Sequence, residues 1–175
     1  MPQNRSTSSI QIRVVAGDPV EVTADALVVP TNSTGEMTEG FALALRQRGG
    51  HDIERQVKRY APIAIGAAVI TDGGLLPVRN LIHVPVAEEP RDKASTEAVR
   101  KATRAALIAA MHRSLSVLAM PFMCRPPTEL SAAEVARAMV DELRSHKHSL
   151  PATVYLADTR PEIISLFGEM LRVVQ

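Results

Sequence analysis

The sequence predicts an α/β domain: a sheet of about six strands covered by helices on both faces. Two observations carry this. Short apolar runs rich in β-branched residues alternate along the chain with longer segments of helical character. The later segments run strand–helix–strand–helix, and such units require parallel pairing with the crossover helices laid on the sheet. The strand-like runs are short and apolar, as burial on both faces demands.

The elements follow in order. Residues 10–15 form a first, β-branched strand. Asp25-Ala-Leu-Val-Val29 is a compact apolar run that Pro30 is expected to stop. Residues 41–48 carry helix formers and end at Gly49-Gly50, and 51–60 is polar and helix-compatible. Two strands are expected at 66–71 and 80–84, with Asp72-Gly73-Gly74 as turn chemistry after the first. Residues 94–113 form a long Ala-rich helix, and 116–120 a strand running into Pro121. In 131–145, Val135, Ala136, Met139, Val140 and Leu143 make one helical stripe, and Ser131 with Glu134 three residues on reads as a capping box. A last strand at 153–157 leads to a last helix at 161–173, with Ile163, Phe167, Met170 and Leu171 inward. The organisation is a flexible N-terminal tail, 1–9, followed by a single domain, 10–175, without internal repeats.

Composition narrows the function. The chain has 175 residues, 20 basic against 19 acidic, for a net charge of +1. That balance argues against nucleic-acid binding. Trp is absent and aromatics are 3%, so platforms for single-stranded bases are scarce. The single cysteine, Cys124, excludes an internal disulfide and every CxxC motif, and suits a reducing, cytoplasmic setting. No run approaches the roughly 20 apolar residues of a spanning helix. The pair His146 and His148 flanks Lys147 at a helix end without further ligands nearby. It reads as a favourable helix-terminus interaction, and no metal is expected. His83, inside an apolar strand, reads as a satisfied core residue.

Ligands of such sheets bind at the carboxyl ends of the strands. The candidate loops are therefore 16–19, 30–40, 72–77, 85–93 and 121–130. GxGxxG, Walker A, GxSxG and HExxH are all missing. Two loops are informative. Ala16-Gly17-Asp18-Pro19 follows the first strand, and its carboxylate suits an exocyclic amine such as that of adenine, although Gly-Asp-Pro is also ordinary turn chemistry. Residues 30–41 end in Thr38-Glu39-Gly40-Phe41 at a helix start, where backbone amides suit phosphate. Asn32 there both donates and accepts, as a ribose hydroxyl requires. Together the two loops favour an adenine-and-phosphate ligand. Cys124 sits at a strand end beside Arg125, a cation able to lower a thiol pKa, but a loop cysteine without a catalytic role is the plainer reading.

Read as one string, the chain resembles the macro domain, the ADP-ribose-binding and Appr-1''-p processing family, as a divergent member. The residues that carry the resemblance are Gly17-Asp18, then Asp25 through Asn32, then Gly40-Phe41-Ala42-Leu43-Ala44-Leu45 leading to Gly49-Gly50. Gly66 through Thr71, Leu81-Ile82-His83 and Ser116 through Pro121 follow in the family's order. The resemblance implies a three-layer α/β/α fold on a mixed central sheet of about six strands. It implies that Asp18, beside Pro19, accepts from the adenine amino group, and that Asn32 touches the distal ribose and is the candidate catalytic residue. Thr38, Glu39, Gly40 and Phe41 would form a first phosphate loop. Met123, Cys124 and Arg125 open a second, which runs to Glu129. No cofactor is implied.

The departures from the family pattern lie in those loops. Val29 stands for the first Asn of Asn-Ala-Ala-Asn, and Ala42 for an Asp that hydrolytic members often carry. Glu39 places negative charge near a diphosphate. Pro126 and Pro127 remove two amide donors, for which the fork of Arg125 would compensate. Three functions follow from this. The first is binding of ADP-ribose or an ADP-ribosylated protein. The second is hydrolysis of ADP-ribosyl groups or O-acetyl-ADP-ribose, with Asn32 helping to hold the water. The third is a degenerate macro fold with an altered ligand or a protein-interaction role.

Overall fold

Alternate residues of the central strands face two different sets of helices. In the computed structural model, which describes residues 9–124 and 129–173, Ala26 and Val28 pack with Ile82 and Val84 against Val99, Leu107 and Met139. Their neighbours Leu27 and Val29 pack with Leu81 on the other face, against Leu45 and Ile53. All but one of these side chains are fully enclosed; Leu107 is 1% exposed. Each buried Leu, Ile or Val side chain contributes about 2 kcal/mol.

The strands are β1 (Gln11–Ala16), β2 (Ala26–Asn32), β3 (Val69–Asp72), β4 (Asn80–Ala87), β5 (Val117–Pro121) and β6 (Thr153–Asp158). The helices are α1 (Gly40–Gly49), α2 (Asp52–Lys58), α3 (Thr96–His112), α4 (Ala132–Ser145) and α5 (Pro161–Arg172). A short 3-10 turn, Pro19–Glu21, follows β1. The sheet order is β1-β6-β5-β2-β4-β3. Only β3 runs antiparallel to its neighbour, so the sheet is mixed. Residues of α3, α4 and α5 build the core on one face, and those of α1 and α2 the core on the other. The result is a three-layer α/β/α fold.

Local chemistry explains the element ends. Ser95 Oγ accepts from Ala98 N at 3.0 Å and starts α3. At α4, Ser131 Oγ accepts from Glu134 N at 3.1 Å while Glu134 Oε2 accepts from Ser131 N at 2.7 Å, the capping box expected from sequence. Such a cap contributes about 1 kcal/mol. Gly73 closes the β3–β4 turn where a Cβ would lie 1.8 Å from the Val78 carbonyl oxygen.

The structure departs from expectation at β2. Pro30 does not stop this strand, which continues to Asn32. The ladder explains why. β2 pairs with β4 along its whole length, but with β5 only at Ala26 and Leu27. A residue without an N–H is tolerated where one side of a strand carries no ladder. The parting of β2 from β5 opens a crevice at the carboxyl ends, where the crossover helices switch from one face to the other. The turn at 72–77 lies elsewhere. Because β3 is antiparallel, this turn sits beside Asn80 at the amino end of β4, and so it is not a functional loop of the crevice. Of the expected tail 1–9, only Ser9 lies within the described residues.

Candidate ligand site

The crevice is a cavity of about 740 Å³. The loop after β1 supplies Asp18 and Pro19. The end of β2 and the loop beyond it supply Thr31, Asn32, Glu36 and Glu39, and the start of α1 supplies Gly40 and Phe41. The segment after β4 contributes Glu89 through Ala94, the end of β5 contributes Phe122, Met123 and Cys124, and the end of β6 contributes Asp158, Thr159 and Arg160. Nearly every residue expected from sequence thus lines this cavity. Thr38 is the exception: it does not line the cavity. Arg125, with Pro126, Pro127 and Thr128, lies outside the described residues.

At the β1 end, Asp18 is already engaged. Its Oδ1 accepts from Val20 N at 3.0 Å, capping the 3-10 turn. Its Oδ2 accepts from Arg48 Nη1 at 2.7 Å, and Arg48 Nη2 donates to Glu21 Oε1 at 2.8 Å. The hydrogen bond to Asp18 raises the Arg48 pKa above its ordinary value. Each carboxylate oxygen retains one lone pair for a further donor. Gly17 N donates to the Asp158 carbonyl at 2.9 Å, which ties this loop to the end of β6.

The β2 end is organised differently. Asn32 Nδ2 donates to the Glu36 carbonyl at 3.0 Å, and Asn32 Oδ1 accepts from Thr34 Oγ1 at 2.6 Å. The side chain assigned from the resemblance to a ribose therefore also closes its own loop. Gly35, at φ +73°, makes the turn possible with a backbone that side chains rarely adopt. Further along, Glu54 of α2 accepts from Met37 N at 2.6 Å and pairs with Arg46 at 3.3 Å. These contacts fix the segment leading into α1.

Asp158 and Arg160 were not singled out from sequence. Asp158 is buried, and its two oxygens take Arg160 Nε at 3.0 Å and Nη2 at 2.9 Å, with Arg160 N at 2.8 Å. This raises the Arg160 pKa. The guanidinium carbon lies 5.4 Å from the centroid of Phe122. The available signal was positional: the triplet starts at the last residue of a parallel strand, where the other cavity loops also begin.

His83 is only half satisfied, which corrects the expectation. It is fully buried, with Nε2 2.9 Å from Thr71 Oγ1. That hydroxyl donates to the Asp72 carbonyl, so Nε2 carries the proton and donates to Thr71. Nδ1 has no partner among the described residues. Desolvation pushes the pKa down to about 3. His146 accepts its place at the end of α4, its Nε2 lying 2.8 Å from the Leu150 carbonyl. Among the described residues no group of three or more His, Cys, Asp or Glu is placed to hold a metal ion. No helix among them is long and apolar enough to cross a membrane.

Fold and crevice together define an α/β/α domain that opens its ligand cavity where the sheet's crossovers change face. The macro domain family model matches residues 28–139. An uncharacterised protein of Aquifex aeolicus is 39% identical over 93% of this chain and 98% of its own length. Another, from Aeropyrum pernix, is 44% identical over 72% of this chain and 67% of its own. Among solved structures, a mutant Oceanobacillus iheyensis macrodomain with ADPR superimposes with a TM-score of 0.80 at 20% identity, over 91% of this chain and 90% of that one. The Trypanosoma brucei macrodomain in complex with ADP gives 0.79 at 18% identity, over 92% and 69%. The chain belongs to the macro domain family.

Proposed function

We propose that this cavity binds ADP-ribose, free or as the ADP-ribosyl group of a modified protein. The observation that carries the reading is the reach of the cavity. It runs without interruption from Asp18 at the end of β1, past β6 and β5, to Asn32 and Phe41 beyond β2. Three interstrand spacings separate these ends, about 14 Å. An adenosine half and a ribose half joined by a diphosphate need such a trough. Adenine meets Asp18 at one end. The diphosphate crosses the amino terminus of α1, where backbone amides and the helix dipole favour an anion. The distal ribose lies against Asn32 and Phe41. The likeness to macrodomains solved with ADPR and with ADP supports the same ligand class.

We read the site as a binding site rather than a hydrolase. Asn32, the candidate catalytic residue, is tied into its own loop by one amide N–H and one Oδ1 lone pair, which leaves one of each for a ligand. Ala42 brings no carboxylate to the start of α1. The single cysteine supports a reducing, cytoplasmic setting.

Calorimetric titration of ADP-ribose tests the reading, with Asp18→Ala as the paired variant. The expected result is a Kd on the order of micromolar, weakened at least about tenfold in the variant. No heat of binding at millimolar ADP-ribose would remove the assignment.

A further inference from the structure

We propose that Lys93 is the cation that meets the ligand's diphosphate, and that Glu129 competes with the ligand for it. Binding exchanges an ion pair within the protein for one between Lys93 and a phosphate. The inference rests on the ADP-ribose reading and names a charge that reading lacks.

The need for a cation follows from the lining. Among the described residues the cavity is lined by six carboxylates and three cations. A diphosphate adds negative charge to this balance, and like charges repel. The cations differ in what holds them. Arg160 commits Nε and Nη2 to Asp158, itself on the lining, so this pair brings no net charge. Arg91 is exposed and makes no ion pair among the described residues. Lys93 is held from outside the lining: its Nζ donates to Glu129 Oε1.

Topology places this pair on the ligand's path. Lys93 belongs to the segment between β4 and α3, and Glu129 to the segment between β5 and α4. In the sheet, β4 and β5 stand on either side of β2. The pair therefore joins the two segments that leave the sheet on either side of the strand where the crevice opens. A diphosphate running from the end of β5 to the start of α1 passes between the same two segments.

The backbone around Lys93 is tied down. Ser33 N donates to the carbonyls of Ala87 and Glu88, each at 3.0 Å, which joins the segment to the loop of Asn32. Glu89 N donates to Asp92 Oδ2 at 3.1 Å, and Asp92 N to the Glu89 carbonyl at 3.1 Å. The ion pair itself is loosely held. The side chains of Lys93 and Glu129 are 62% and 77% exposed, and pairs so open to water contribute little. An ammonium on a four-carbon stem turns from one anion to another without moving the backbone. A diphosphate offers more charge and more acceptors than a carboxylate, so it displaces Glu129.

The test is a double-mutant cycle read by calorimetric titration of ADP-ribose, with adenosine as the ligand that has no phosphate. Lys93→Gln should weaken ADP-ribose by about fivefold, and Glu129→Gln should tighten it by about threefold, since it frees the lysine. Adenosine should respond to neither. In the Lys93→Gln background, Glu129→Gln should give no further gain. Lys93→Arg, which keeps the charge, should retain most of the affinity, and all these differences should shrink at high salt. Thermal melts of each variant check that the fold is intact. Unchanged ADP-ribose affinity in Lys93→Gln overturns the exchange. So does a gain from Glu129→Gln that is equal in both backgrounds, because the carboxylate then acts at a distance. Both outcomes leave the ADP-ribose reading standing. A wild-type chain that fails to bind ADP-ribose overturns both.

Discussion

The two ends of the cavity solve the same problem in opposite ways. At the β1–β6 end, Asp18 is held by Arg48, from outside the cavity lining, and Arg160 by Asp158, and Asp18 keeps an unused lone pair on each oxygen. At the β2–α1 end, Asn32 commits one amide N–H and one Oδ1 lone pair inside the loop it belongs to and is buried at 7% exposure, and Glu54 reaches from α2 to pin Met37. The first arrangement preorganises groups for a ligand. The second uses the groups to build the wall. Recognition should therefore be concentrated at the base end and structural cost at the sugar end.

The largest expected effect lies in the strands behind the sugar end. His83 pairs in register with Val29, two residues before Thr31. Its pKa falls to about 3 in the fold, against 6.5 as the ordinary value. Above pH 6.5 both folded and unfolded chains carry it neutral. Between 6.5 and 3 only the unfolded chain takes the proton, so stability falls as pH falls through that window. The slope approaches about 1.4 kcal/mol per pH unit from this group alone. Urea unfolding at pH 7 and pH 4 should show a loss of about 3 kcal/mol, and His83→Leu should flatten this pH dependence.

Next comes Glu54→Ala. It frees Met37 N and leaves Arg46 without its carboxylate, and Arg46 Nε already has no partner among the described residues. A loss of about 2–3 kcal/mol is expected, since both side chains are largely buried. By contrast Arg48→Ala, which breaks the half-exposed pairs with Asp18 and Glu21, should change stability by less than about 0.5 kcal/mol. Chemical denaturation of the two variants side by side measures the asymmetry. Equal losses would dissolve the distinction between the ends.

The smallest effect concerns charge. Glu39 stands at the N-cap of α1 on the cavity wall without a capping hydrogen bond from its side chain. Beside a diphosphate it is repulsive. Glu39→Gln is expected to tighten ADP-ribose binding by about threefold, more at low salt than at high, by titration at two ionic strengths.

Much of this was legible in sequence because it is local. The capping box needs only Ser131 and Glu134. The alternation of strands and helices, with Gly73 and Gly74 at a turn, needs only neighbours along the chain. That Asp18, Asn32 and Phe41 line the cavity could be anticipated because strand ends and helix starts meet at the carboxyl side of such sheets. The departures have tertiary causes. Pro30 stays in its strand because β5 turns away, which no residue near Pro30 announces. Glu54 and Met37 are 17 residues apart, and Arg48 and Asp18 are 30 apart, so their pairing exists only after the helices dock. Asp158 and Arg160 form an ordinary-looking i, i+2 pair. Their place in the cavity follows from β6 lying between β1 and β5, and that strand order is not written in any motif. His83 looked like a core residue, and is one. The commitment of the Thr71 proton to the Asp72 carbonyl fixes Nε2 as the donor, and Nδ1 is left without a partner among the described residues.

The most direct test of the asymmetry is to titrate the two halves of the ligand separately. Calorimetry would compare adenosine monophosphate with ribose 5-phosphate against ADP-ribose itself. If the base end carries recognition, adenosine monophosphate binds within about a hundredfold of ADP-ribose and ribose 5-phosphate gives no measurable heat. Binding of ribose 5-phosphate with adenosine monophosphate silent would contradict the account and move recognition to Asn32 and its loop.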